Sequence, residues 1–313
     1  MAVDDASVPA VASARTDARR AGLLRVEGAH LHYEVCGRGP AIAFAHGLGG
    51  SQMSWWQQVS HFARTHTCIT FAHRGFAPSA VDAGAPDPAR YADDLRCLLD
   101  HLGIERAHLL GQSMGGWTVV EFCLRHPQRV ASLVLSATTG SIDHARIPGA
   151  DRGALAEWRA RSTQAAAQCR AAAVHPAAGP RMAREQPELH LLYQHIDELS
   201  RGLDKETVRS RLQAMRVRAP EGLAATGVAL LLVSPQEDIV IPPPALRALA
   251  REVPGARLVE LAHTGHSPYF ENARLFNHHL EDFLRNIDRD RQPAAIGPSA
   301  AGPSSLRPPR TAS

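Results

Sequence analysis

Chemistry in this chain starts at Gly111-Gln112-Ser113-Met114-Gly115. A serine hydroxyl is a weak nucleophile until a base takes its proton, and it can attack only if the backbone holds it clear of its neighbours. Here an apolar run, Ala107 to Leu110, reads as a short buried strand before the serine, and a helical pattern from Met114 to about Arg125 follows it. A serine on so tight a strand-to-helix turn has a strained backbone that pushes its hydroxyl away from the sheet edge. Gly111 and Gly115 stand where a Cβ would meet neighbouring backbone. The start of the helix aims unpaired N–H groups and positive dipole at whatever Ser113 attacks, which suits a carbonyl oxygen that is gathering negative charge. With 24 glycines in the chain such a pattern also arises by chance as a plain Gly-rich turn, so a base and an acid must be sought downstream.

Two downstream loops supply them. Ser234-Pro235-Gln236-Glu237-Asp238-Ile239 follows one strand-like run, and His263-Thr264-Gly265-His266-Ser267-Pro268 follows another. Histidine exchanges a proton near neutral pH and is the residue type that could take the Ser113 proton. His266 follows a glycine; its rival His263 does not, and reads as a solvated loop histidine. For the acid, Glu237 and Asp238 are adjacent, and Asp143 is a more distant substitute. Upstream, His46-Gly47-Leu48-Gly49-Gly50-Ser51 could be taken for a dinucleotide fingerprint, but Gln52 stands where its last glycine would be needed. The loop can instead present a backbone N–H near Leu48 as a second oxyanion donor beside that of Met114. His46 and Trp117 are candidates for the pocket, although a loop-supporting role for His46 and a core role for Trp117 compete.

The elements that must position these residues alternate. Strand-like runs at Leu23–Val26, His30–Val35, Ala41–Ala45, Cys68–Ala72, Val130–Ser136, Val228–Val233 and Arg257–Leu261 flank the strand before Ser113. Helical patterns run from Trp55 to Arg64, Pro88 to Leu102, Ala245 to Arg251 and Asn272 to Asn286. Strand–helix alternation implies βαβ units and a mostly parallel sheet, with the site at the carboxyl ends of its strands. From about residue 141 to 225 the strands stop, and helices at Gly153–Ala173, Glu188–Leu199 and Lys205–Val217 read as a lid over the site, the last with Asp204 as N-cap. This divides the chain into a disordered segment 1–21, core 22–140, cap 141–225, core 226–287 and a disordered tail 288–313.

Composition narrows the classes. At 313 residues, with 44% hydrophobic and 21% charged residues, this is an ordinary soluble chain. A net charge of +3 is too small to argue for nucleic acid or a membrane surface. Lys205 is the one lysine, so no P-loop is present. The cysteines at 36, 68, 97, 123 and 169 are odd in number and without C-x-x-C spacing, and they read as reduced thiols of a cytoplasmic protein. Neither a secretory signal nor a membrane span is expected. The 17 histidines show no H-E-x-x-H or other metal spacing, so neither metal nor cofactor is expected. Oligomeric state is not readable.

With these motifs in order the chain resembles the α/β-hydrolase superfamily across roughly residues 22 to 287. His46-Gly47-Leu48-Gly49-Gly50, Arg74-Gly75-Phe76, Gly111 to Gly116, Glu237-Asp238 before Pro242, and Gly265-His266-Ser267 carry the likeness. It looks most like enol-lactonases, cofactor-free haloperoxidases and carbon–carbon bond hydrolases. The resemblance implies an eight-stranded, mostly parallel sheet flanked by helices, with a helical cap. It also implies a Ser113–His266–Asp238 triad, favouring Asp238 over Glu237, and an acyl-enzyme formed from a small-molecule carboxylic ester or lactone. Cleavage of a β-diketone, non-hydrolytic tailoring and ligand reception are the alternatives. Ala72 and Ala77 depart from the family's D-x-R-G-x-G-x-S loop, where aspartate and glycine are usual, which bears on the subfamily more than on the triad.

Overall fold

The computed structural model describes residues 19–289, so the expected disorder at 1–18 and 290–313 lies outside the described residues. The strands are β1 (Arg20–Val26), β2 (Ala29–Cys36), β3 (Ala41–Ala45), β4 (Thr67–Phe71), β5 (Ala80–Val81), β6 (Ala107–Gln112), β7 (Val130–Ser136), β8 (Leu230–Pro235) and β9 (Arg257–Leu261). The helices before the insertion are α1 (Trp56–Phe62), α2 (Tyr91–His101) and α3 (Gly115–Arg125). Between β7 and β8 come α4 (Arg152–Ala171), α5 (Gly179–Glu185), α6 (Pro187–Glu198), α7 (Lys205–Ala214) and α8 (Pro220–Ala224). The chain closes with α9 (Pro243–Glu252), α10 (Pro268–Glu271) and α11 (Ala273–Arg289).

Strand order is β1-β2-β4-β3-β6-β7-β8-β9, with the two-residue β5 paired to β2 off this line. The sheet therefore has nine strands, eight in line as expected plus one too short to leave a pattern in sequence. β2 pairs antiparallel with β1 and β4, and every pairing from β4 to β9 is parallel. β3, β6, β7 and β8 are buried along their whole length, as strands covered on both faces must be.

The pleat shares them between two cores. Ala43, Leu109, Leu133 and Leu232 point to one face and meet Leu95, Leu98 and Leu99 of α2, Val119 and Phe122 of α3 and Leu249 of α9. Phe44, Leu110, Val134 and Leu231 point to the other and meet Phe62 of α1 and Phe276, Leu280 and Leu284 of α11. Each such large apolar side chain contributes roughly 1.5–3 kcal/mol on burial.

Several boundaries differ from the expected ones. Arg20 and Ala21, assigned above to a disordered segment, pair with Val35 and Glu34 in β1–β2. Asp288, assigned to a disordered tail, lies in α11, with its carboxylate 3.1 Å from His108 Nε2 and 3.4 Å from His66 Nε2. The helix expected from Trp55 is preceded by a 3-10 turn, Gln52–Trp55, because Ser51 caps it by accepting from the Met53 N–H. The insertion holds five helices rather than three. α5 and α8, of seven and five residues, are too short to show a periodicity, and each has a proline in its first two positions. Asp204 caps α7 as expected, accepting from the N–H groups of Glu206 and Thr207. No disulfide joins the cysteines, and no described helix is long and apolar enough to cross a membrane.

Candidate active site

Ser113 occupies the turn between β6 and α3 with φ at 49°, the left-handed region that an L-residue enters only under strain. Its neighbours make the turn this tight. A Cβ on Gly111 would sit 2.5 Å from the Gly115 carbonyl oxygen, and one on Gly115 would strike the Ala45 carbonyl of β3. The Ser113 N–H remains in the sheet, donating to the Ser136 carbonyl at 3.1 Å, while the Gly116 N–H donates to the Ser113 carbonyl at 2.9 Å. The hydroxyl is thus set at the point where the chain leaves the sheet.

His266, in the loop after β9, is 3% exposed, and its Nδ1 lies 2.9 Å from Asp238 Oδ2. An ionised carboxylate only accepts, so Nδ1 is the donor of this bond and Nε2 is the ring nitrogen left for other partners. The other carboxylate oxygen of Asp238 accepts from the N–H groups of Val240 and Ile241 at 2.7 and 2.9 Å, which fixes the acid in its own loop. The His266 loop is held on both sides of the imidazole. Gln112 Nε2 donates to the His266 carbonyl at 3.0 Å, and the Gly265 N–H donates to Glu271 at 2.8 Å. Burial pushes the Glu271 carboxyl up to about 8.

Ser113, His266, Leu48, Met114 and Trp117 all line one cavity of about 830 Å³. Among the described residues neither the Leu48 N–H nor the Met114 N–H has a protein acceptor. Helices α4, α6 and α7 form the far wall through residues such as Arg170, Tyr193 and Lys205. Trp117 lies mostly in the core at 5% exposure, with its Nε1 donating to the Leu212 carbonyl at 2.9 Å.

The rival residues are placed elsewhere. Glu237 faces outward and is gripped by Arg181 at 2.5 and 2.9 Å, which holds its carboxyl below the usual range. His263 is 80% exposed at its side chain. Asp143 caps the turn at His144–Arg146, accepting from the Ala145 N–H at 3.0 Å. His46, a pocket candidate in the sequence, does not line the cavity and is fully buried behind it. Its Nε2 accepts from the His73 N–H at 3.0 Å, so its Nδ1 donates to the Gly47 carbonyl at 2.7 Å, and burial pulls its pKa down to about 4. It is a neutral brace for the Leu48 loop.

Two residues of the site have no sequence signal. Trp158 of α4 donates its Nε1 to the Asp238 carbonyl at 2.8 Å, tying the insertion to the acid loop. Arg216, just past α7, places its guanidinium carbon 4.8 Å from the Trp117 ring centroid. His66, His108 and Asp288 bring potential metal-ligand atoms within 4.8 Å of one another, which no local spacing could foreshadow. They lie at the amino ends of β4 and β6, a strand's length from Ser113, and pin α11 to the sheet.

Comparison with known proteins places this architecture. A model of the family described as alpha/beta hydrolase fold matches residues 40–273. A protein of Pseudomonas savastanoi pv. phaseolicola named as a carbamate hydrolase, RutD, is 30% identical over 253 residues, 78% of this chain and 93% of its own length. Among solved structures, Est816, described as an N-acyl homoserine lactone degrading enzyme, is 25% identical with a TM-score of 0.67, covering 84% of this chain and all of the other. The enol-lactonase of Burkholderia xenovorans LB400, at 24% identity and a TM-score of 0.65 over 84% of this chain and 100% of its own, shares the fold. With the sheet order, the insertion after β7 and a family match over most of the described residues, the chain belongs to the alpha/beta hydrolase fold family.

Proposed function

We propose that this hydrolase cleaves small-molecule carboxylic esters or lactones through Ser113, His266 and Asp238. The observation that carries the reading is the His266–Asp238 pair at 2.9 Å, with the same histidine lining the cavity that Ser113 lines. Ser113 Oγ attacks the acyl carbon as its proton passes to His266 Nε2. Asp238 holds the imidazole in the reactive tautomer and stabilises the imidazolium. The Leu48 and Met114 N–H groups receive the oxyanion. The carbon–oxygen bond to the leaving alcohol then breaks, and His266 returns its proton to that oxygen. Water attacks the acyl-enzyme, His266 takes a proton from it, and the acid departs with Ser113 restored. The insertion acts as a cap that excludes bulk water from these steps.

The relatives support a carbonyl carbon bonded to a heteroatom. Est816 is described as acting on a lactone and RutD is named for carbamates, so a carbamate is the second substrate reading. The reading is tested with a fluorophosphonate probe, with the adduct located by mass spectrometry. Labelling at Ser113 in the wild type is expected, and its loss in Ser113→Ala and His266→Ala. Turnover of p-nitrophenyl esters in Ser113→Ala should fall by roughly a thousandfold or more. An unlabelled, folded wild type would remove the nucleophile from the mechanism. A panel of matched esters, lactones and carbamates then ranks the substrate classes.

A further inference from the structure

Among the described residues four cations line the cavity: Arg170, Lys205, Arg209 and Arg216. Lys205 is paired with Asp197 at 2.6 Å and Arg209 with Glu206, while Arg170 is exposed to solvent in the last turn of α4. The Nε of Arg216 is buried without a hydrogen-bond partner, and among the described residues no carboxylate lies within ion-pair distance of its guanidinium. The acid whose charge it feels, Asp143, has one oxygen committed to the Ala145 N–H. Arg216 instead lies against Trp117, whose ring is fixed by its own bond to the Leu212 carbonyl. A half-buried guanidinium whose Nε has lost water without gaining a partner, and which has no counter-charge, is suited to an anion that arrives with the ligand.

A second observation concerns the space beyond it. Arg216 and Val240 also line an adjoining cavity of about 610 Å³. Its remaining charged lining residues are Arg146, Arg152 and Arg159, and it contains no Asp or Glu. His144, in the same wall, is driven down to about 3 by burial and by the charges of Arg216 and Arg159. The positive field is therefore continuous from the Ser113 cavity into its neighbour. A guanidinium carries its donors in a planar fork, and that fork matches a carboxylate through two parallel hydrogen bonds.

We propose that the substrate carries a free carboxylate, which docks on Arg216 while its acyl carbon meets Ser113. The class is a half-ester of a dicarboxylic acid, or a lactone bearing a carboxylate. Trp117 lies one helical turn after Ser113 on α3, so the ring against which Arg216 rests moves with the nucleophile. The proposal rests on the serine hydrolase reading and adds to it the chemistry at the far end of the substrate.

The experiment compares p-nitrophenyl half-esters of succinic, glutaric and adipic acids with p-nitrophenyl butyrate, valerate and hexanoate. Enzyme is counted by fluorophosphonate labelling, so that misfolded protein is not scored. For at least one chain length the half-ester is expected to exceed its neutral counterpart by about tenfold or more in kcat/KM. That ratio should collapse in Arg216→Met and recover in part in Arg216→Lys. A wild type with no preference for the half-esters, or a preference that survives in Arg216→Met, overturns the proposal while leaving the nucleophile in place. If Ser113 takes no label and no ester turns over, the hydrolytic reading fails instead. The anion site is then read by calorimetry with adipate against adipamide. Adipate binding that disappears in Arg216→Met sustains the site, and no binding to the wild type overturns it.

Discussion

Two adjacent carboxylates of one loop have opposite surroundings. Asp238 is 3% exposed and shares its oxygens between His266 and two backbone N–H groups. Glu237 is solvated and spent on Arg181, a partner 56 residues away. In the proposed mechanism only the first can hold the imidazole. Asp238→Asn should lower kcat/KM on a p-nitrophenyl ester by about 10³–10⁴, whereas Glu237→Gln should stay within roughly threefold. A reversal of these two results would move the acid to Glu237. The two residues were inseparable in sequence without the family resemblance, because what distinguishes them is an arginine on α5, a helix that leaves no pattern of its own. Ser113 was legible for the opposite reason, since the glycines that make its turn lie within two residues of it. Trp158 and Arg216 were not, since each touches the site across the tertiary fold.

Among the elements, the loop after β4 shows how support can be rebuilt from elsewhere. Ala72 stands where the family usually has an aspartate. Arg74 two positions on is held at 2.5 and 2.7 Å by Asp94 of α2, with both side chains buried. This pair ties the loop to the helix beneath it. Asp94→Asn leaves a buried guanidinium without its counter-charge and should destabilise the protein by about 3–5 kcal/mol, read as a lower urea midpoint. An unchanged midpoint would mean that solvent reaches Arg74 and the pair is not structural. Strands were legible from sequence wherever burial on both faces enforced a continuous apolar run, as in β3 and β7. β9 was read from Arg257 to Leu261, the observed limits. The two-residue β5 and the short α8 were not, because neither is long enough to carry a period.

The molecule as a whole answers to pH through Glu271, which is 8% exposed. Burial lifts this carboxyl from its ordinary 4.5 to about 8. Between those values the folded protein keeps a proton that the unfolded chain has released, so stability falls as pH rises through that window. The slope approaches at most about 1.4 kcal/mol per pH unit. Glu271→Gln retains a carbonyl acceptor for the Gly265 N–H and cannot ionise. Its urea midpoint should therefore fall less between pH 5 and pH 8 than that of the wild type, and parallel profiles would remove Glu271 from the account. A second property of the whole follows from the φ of 49° at Ser113. Glycine rests in that backbone region without penalty and serine does not. Under selection for endurance alone, glycine would replace serine at position 113 and the chain would become a longer-lived, silent shell. On the proposed mechanism, a serine kept at this turn is held there against the drift of the fold by turnover.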